Sequence, residues 1–105
     1  MNDHEEIARA LKTRLLELRT LLTKVDRELH KALPADSEEQ ALELENQEAL
    51  EVIERTEIAE IQQIEAALKR ISEGTYGTCA KCGEPIDPRR LKALPIAATC
   101  ISCSA

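Results

Sequence analysis

Cys79, Cys82, Cys100 and Cys103 are the four cysteines of this 105-residue chain, and they fall as two Cys-x-x-Cys pairs separated by seventeen residues. Two residues between ligands let one tight turn present both sulfurs to the same point, and Gly83 supplies permissive backbone just after the first pair. That is the spacing of a four-thiolate zinc site, tetrahedral, with Zn–S bonds of about 2.3 Å. Four thiolates saturate the ion and leave no position for water, so the zinc is expected to be structural rather than catalytic. Two other readings compete for the same residues. A pair of disulfides is disfavoured in a reducing cytosol. A redox dithiol needs its Cys-x-x-Cys beside a βαβ pattern, which the sequence does not offer. The expectation is therefore one structural Zn²⁺ held by Cys79, Cys82, Cys100 and Cys103. Such a centre carries a local charge of about −2, which Arg89, Arg90 and Lys92 could partly balance. Asp87-Pro88 reads as an N-cap followed by a proline in the first helical position, opening a short helix through Arg89–Ala93 that Pro95 stops.

The elements that must position this cluster lie upstream. Ile7, Leu11, Leu15, Leu18, Leu22, Val25 and Leu29 are spaced four, four, three, four, three and four apart, the rhythm of a helix with one apolar seam. Nothing interrupts it before Pro34. Leu50, Ile53, Ile61, Ile64, Leu68 and Ile71 repeat the rhythm, with Glu57 in the one polar slot. The second helix is expected to stop at Ser72–Gly74, since Gly is the usual residue just past a helix end. Between the two lies Leu33-Pro34-Ala35-Asp36-Ser37, long enough only for a reversal. Two apolar seams so joined must fold on each other as an antiparallel hairpin. An arm of roughly 30 residues per helix is on the order of 45 Å long. The expected fold is mostly α: an antiparallel two-helix coiled-coil hairpin over 1–73 (helices at about 4–33 and 37–73, tip at 34–37), then a four-cysteine zinc finger over 74–105.

Composition narrows the function. With no Trp, no Phe and Tyr76 as the single tyrosine, the core must be aliphatic, which suits a helix–helix seam. No run of about 18 apolar residues is present, so no membrane span is expected. The acidic Met-Asn-Asp-His-Glu-Glu start has no apolar stretch of a secretory signal, so a cytoplasmic protein is expected. The net charge of −6 is uneven: Ile7–Leu33 carries seven bases against three acids, Asp36–Glu60 ten acids against Arg55, and the remainder six bases against four acids. The middle third would repel phosphate, so no direct DNA binding is expected. Opposite charges on the two helices help fix which faces meet, at about 0.3–0.5 kcal/mol per exposed pair. No nucleophile–base constellation or phosphate loop can be assembled, so the chain is not expected to be an enzyme. His4 and His30 are read as solvated surface residues.

The motifs Tyr76-Gly77, Cys79-Ala80-Lys81-Cys82-Gly83, Arg89-Arg90-Leu91, Pro95 and Cys100-Ile101-Ser102-Cys103, set after a helical hairpin, resemble the DksA/TraR zinc-finger family. The resemblance implies a transcription regulator that binds RNA polymerase, its coiled coil entering the secondary channel and its tip acting near the active site without touching DNA. The family's tip motif, Asp-x-x-Asp-x-Ala, aligns with Asp36-Ser37-Glu38-Glu39-Gln40-Ala41. Asp36 and Ala41 match, while Glu39 carries its carboxylate one methylene further out. Asp36 with Glu39 three residues on also reads as a capping box opening the second helix. The family's founder binds the nucleotide ppGpp through basic side chains whose aligned positions here are Gln63, Leu94 and Ser104. None is basic, so a ppGpp site of that design is not expected. A monomer is expected. Two other functions compete: a DNA-binding zinc finger using the basic tract after Pro88, and a helical interaction protein whose zinc merely fixes one end.

Overall fold

The computed structural model describes residues 4–31 and 36–104, with Ser37 by its backbone alone. The chain is mostly α, as expected: α1 (Glu5–Leu29) and α2 (Ser37–Glu73) form the hairpin, and α3 (Pro88–Ala93) and a short 3-10 turn at Ile101–Cys103 belong to the cysteine module. Among the described residues no helix is long and apolar enough to cross a membrane.

Helix ends follow local chemistry. Glu5 and Glu6 sit in the first turn of α1 and Arg27 in its last, each complementing the helix dipole. α1 stops at Leu29, short of the expected Leu33. There the His30 amide is shared between the carbonyls of Asp26 (3.2 Å) and Arg27 (3.3 Å), and Lys31 N–H reaches Glu28 at 3.3 Å. The His30 ring, Nδ1 at 2.7 Å from the Asp26 carbonyl, caps that oxygen as well. Pro34 and Ala35 of the expected tip lie outside the described residues. α2 opens on Asp36, whose Oδ1 accepts the amides of Glu38 (2.9 Å) and Glu39 (3.1 Å). α2 ends where expected: Gly74 adopts φ +77°, a conformation that suits Gly, and Thr75 N–H closes back on the Arg70 carbonyl at 2.9 Å.

Leu16–Ile61 forms one compact unit, and Met1–Leu15 with Gln62–Ala105 forms a second. This grouping in space cuts through both long helices, whereas the division expected along the chain falls at residue 74. In the second unit Leu11, Leu15, Ile64 and Ala67 are buried together with Tyr76, Ile86, Leu91 and Ala97. The cysteine module shares one core with the first turns of α1 and the last turns of α2.

In the first unit α1 buries Leu18 and Val25, while α2 buries Ile61 and Glu57. Ile53, expected in this seam, is 43% exposed. Glu54 is half-buried in its stead, followed toward the start of α2 by Leu50, Gln47, Glu43 and Gln40. The reason is angular: eight residues back from Ile61 is about 80° away from a whole number of turns, whereas seven residues return almost to the same face. The α2 side of this seam is thus largely polar, with Leu50 as its apolar member between Gln40 and Glu57.

Leu18 is 2% exposed, so Leu18→Ala should destabilise the protein by about 2–5 kcal/mol in urea unfolding. Donation from the His30 ring to the Asp26 carbonyl first, and the Asp26 charge next, raise the His30 pKa. Protonation of His30 therefore supports the end of α1 below pH 6.5, and the support is lost as pH rises through the raised value. An NMR titration of His30 should show a midpoint above 6.5 that falls in Asp26→Asn.

Candidate metal centre

The first cysteine pair sits on a knuckle built largely by backbone bonds, with the Cys82 amide also reaching Cys79 Sγ at 3.5 Å. Cys79 N–H donates to the Glu84 carbonyl at 2.8 Å, Gly83 N–H to Cys79 at 2.9 Å, and Ile86 N–H to Gly77 at 2.7 Å. Gly83 stands at φ +77°, which lets the chain reverse straight after Cys82. The second pair is carried by the 3-10 turn, where Cys103 N–H reaches the Cys100 carbonyl at 3.1 Å. Ala80 N–H to the Ala98 carbonyl, 2.9 Å, ties one knuckle to the other.

The four sulfurs lie within 4.8 Å of one another, and among the described residues no other group of three or more possible ligands converges in this way. Cys82 Sγ and Cys100 Sγ are 3.8 Å apart. A tetrahedron with metal–sulfur bonds of about 2.3 Å has edges of about 3.8 Å, so this spacing fits zinc. Cys79 is buried, Cys100 and Cys103 are half-buried, and Cys82 is exposed. The thiols have unequal proton affinities. Backbone amides, that of Cys100 first and Cys82 next, lower the Cys79 pKa to about 6. The neighbouring thiols of Cys100 and Cys79 push that of Cys103 up to about 12. A cation among the sulfurs would resolve this crowding by replacing the shared protons.

The surroundings correct the expected charge balance. Arg89 turns away onto Asp87, its Nη2 2.8 Å and its Nε 3.2 Å from the two carboxylate oxygens. Hydrogen bonds from the Arg89 side chain, then its amide, hold the Asp87 carboxyl below its usual range. Asp87 also caps α3, accepting the Arg89 amide at 2.8 Å. Arg90 Nε donates to the Thr99 carbonyl at 3.0 Å, next to Cys100. The cation missed in the sequence is Lys81, inside the first pair, whose Nζ donates to the Cys103 carbonyl at 3.3 Å. Its position between two ligands was the signal.

Tyr76 is buried and donates its hydroxyl to the Pro95 carbonyl at 2.7 Å. His4, expected to be a solvated surface residue, is not one. It is half-buried, with its ring edge-on to Tyr76 at 4.7 Å between centroids. Gln63 and Leu94 line one shallow groove of about 320 Å³ with Arg70 and Arg90. Arg70 Nη2 donates to the Ile96 carbonyl at 3.3 Å. Ser104 Oγ donates to the Ile101 carbonyl at 2.9 Å. The remaining candidate residues, Asp36, Glu39 and Ala41, are all exposed at the start of α2.

Residues 7–71 match the family described as DnaK suppressor protein-like, N-terminal domain, and residues 74–105 match the prokaryotic dksA/traR C4-type zinc finger. The chain belongs to the DksA/TraR family. Its solved neighbours include transcription factor DksA2 from Pseudomonas aeruginosa, at 29% identity and a TM-score of 0.66, covering 92% of this chain and 70% of that one. The solution structure of DnaK suppressor protein from Agrobacterium tumefaciens C58 aligns at 36% identity and a TM-score of 0.67, over 99% and 93%. Among curated relatives, RNA polymerase-binding transcription factor DksA from Haemophilus influenzae is 49% identical over 39 residues, 37% of this chain and 27% of that protein. An uncharacterized protein of Aquifex aeolicus is 47% identical over 38 residues, 36% and 26% respectively. The matched stretch thus spans only about a quarter of either curated relative. Family membership and the clustered thiolates together make the cofactor a single structural zinc ion.

Chelation should remove about one zinc per chain and disorder the module, because the bond energy of a structural zinc is folding energy. Hydrogen exchange should quicken across residues 74–104 and in the turns of α1 sharing their core. Leu16–Ile61 should keep its protection and most helical signal should survive. A single-step loss of all helix would show that the hairpin itself depends on zinc.

Proposed function

We propose that the protein is a DksA-like transcription regulator that binds RNA polymerase through the secondary channel, with the start of α2 acting near the active site. The observation that carries this reading is the paired family match, helical region and zinc finger in the family's order along nearly the whole chain. It is supported by a curated relative described as an RNA polymerase-binding transcription factor. In this reading residues 1–73 are the arm and 74–105 the module. Cys79, Cys82, Cys100 and Cys103 hold the zinc, and Asp36, Glu39 and Ala41 are the working tip. The protein acts as a monomer in the cytoplasm, by binding rather than catalysis. DNA contact is not part of the mechanism, since ten acids against one base between Asp36 and Glu60 oppose phosphate.

Asp36 carries two roles that a single substitution separates. Its Oδ1 caps α2 through the Glu38 and Glu39 amides, and its negative charge is what the tip would present to the polymerase. Asn caps about as well as Asp. Asp36→Asn should therefore keep the helix content of the wild type and abolish its effect in transcription with purified polymerase. Normal regulation by Asp36→Asn would remove that carboxylate from the mechanism. ppGpp should add no more than a marginal effect, because Gln63, Leu94 and Ser104 supply no cation. A gel shift with DNA at low salt, or failure of polymerase to retain the protein, would overturn the broader reading in favour of a DNA-binding finger or a scaffold respectively.

A further inference from the structure

We propose that α2 is held against α1 through the poorer of its two faces between Gln40 and Glu57, and that this stretch exchanges with a second packing, rolled by about 100°, that seats the better one. The inference is independent of any polymerase partner.

The present seam is anomalous. Glu57 is 6% exposed, yet neither carboxylate oxygen has a hydrogen-bond partner. Across the hairpin, in the same unit, α1 offers Leu18 and Val25, both buried, with Leu22 half-buried. The charged residues of α1 nearest in sequence to these, Glu17, Arg19, Lys24 and Asp26, are all exposed, and none donates to Glu57. On α2 itself Glu54 and Glu60 are half-buried within one turn, so the like charges lie close. An unbonded carboxyl taken out of water is among the more costly arrangements a fold tolerates.

Meanwhile the neighbouring face of the same stretch is apolar and faces water: Leu42 is 68% exposed, Val52 53% and Ile53 43%. Leu42, Asn46, Ala49, Ile53 and Thr56 are spaced four, three, four and three apart, the seam rhythm displaced by one position. This set seats Leu42, Ala49 and Ile53 where the present one seats Leu50 alone. Thr56 enters at little cost because its hydroxyl already donates to the Val52 carbonyl at 2.9 Å. A single Asn in such a seam is a familiar compromise between stability and register. Glu43, Glu54 and Glu57 would return to water. What holds the present phase is Ile61, 8% exposed, since four residues back along a regular helix from it is Glu57. A small local change of helical winding, as at a coiled-coil stutter, changes that phase. Two discrete packings of one sequence then compete.

The test uses the full zinc-loaded chain with labelled Ile, Leu and Val methyl groups. Relaxation dispersion together with saturation-transfer spectra should show exchange at Leu42, Val52 and Ile53, with contacts from Ile53 to Leu18 or Leu22 in the minor state. Glu57→Leu improves the present face and should lower the minor population at least tenfold. Ile53→Glu spoils the alternative face and should do the same, with helix content unchanged in both variants. Flat profiles on both timescales in the wild type, or exchange unaltered in Glu57→Leu, would overturn the proposal. So would exchange that grows with protein concentration, which would assign the exposed face to a second copy.

Discussion

Four sulfurs within 4.8 Å of one another form an arrangement that makes sense only around a cation. Deprotonated they repel, and protonated they cannot satisfy one another with weak S–H donors. The backbone around them is almost wholly turn: two knuckles, six residues of α3 and a single isolated bridge between Thr78 and Pro85. Little in that segment would be ordered by secondary structure. With zinc present, the knuckles become fixed points, and Tyr76, Ile86, Leu91 and Ala97 can pack with Leu11, Leu15, Ile64 and Ala67 into one core. The loops are fastened by donors reaching backbone carbonyls: Arg70 to Ile96, Arg90 to Thr99, Lys81 to Cys103 and Tyr76 to Pro95. These bonds need loops already near their final course, which is what the metal provides.

Leu16–Ile61 follows a different rule. Among its described residues no metal-ligand cluster and no Tyr, Trp or Phe contributes, and the buried apolar side chains are Leu18, Val25 and Ile61. Helix propensity, an Asp36 cap and the dipole-matched ends do much of the local ordering. The inner face of α2 in this unit is largely polar, so apolar packing contributes less to its order than in the zinc-bearing unit. The unit also carries acidic side chains densely around the start of α2.

Much of this was legible in advance, and the failures have physical causes. The cysteine spacing, the Gly74 stop and the Asp87-Pro88 helix start are local signals with local outcomes. In the seam of α2, hydrophobicity predicts Ile53 but helix angle selects Glu54, because seven residues, not eight, bring a helix back to the face of Ile61. The partner of Arg89 is not legible in the sequence because the pattern there marks Asp87 as a helix cap, and one carboxylate serves both roles. The His4–Tyr76 contact joins residues at opposite ends of the chain, and no pattern within either segment encodes it.

The position of the single tyrosine has an optical consequence. With no Trp and no Phe in the chain, the near-ultraviolet absorption, circular dichroism and intrinsic emission of the side chains come essentially from Tyr76, which lies in the zinc-bearing unit. Burial raises its phenol pKa, and a phenolate can no longer donate to Pro95. Alkaline spectrophotometric titration therefore reads out a single hydrogen bond. The far-ultraviolet signal, by contrast, is dominated by the long helices. The near-ultraviolet signal thus reports the zinc-bearing unit alone, and the far-ultraviolet one the helices that run through both units, without a label on either.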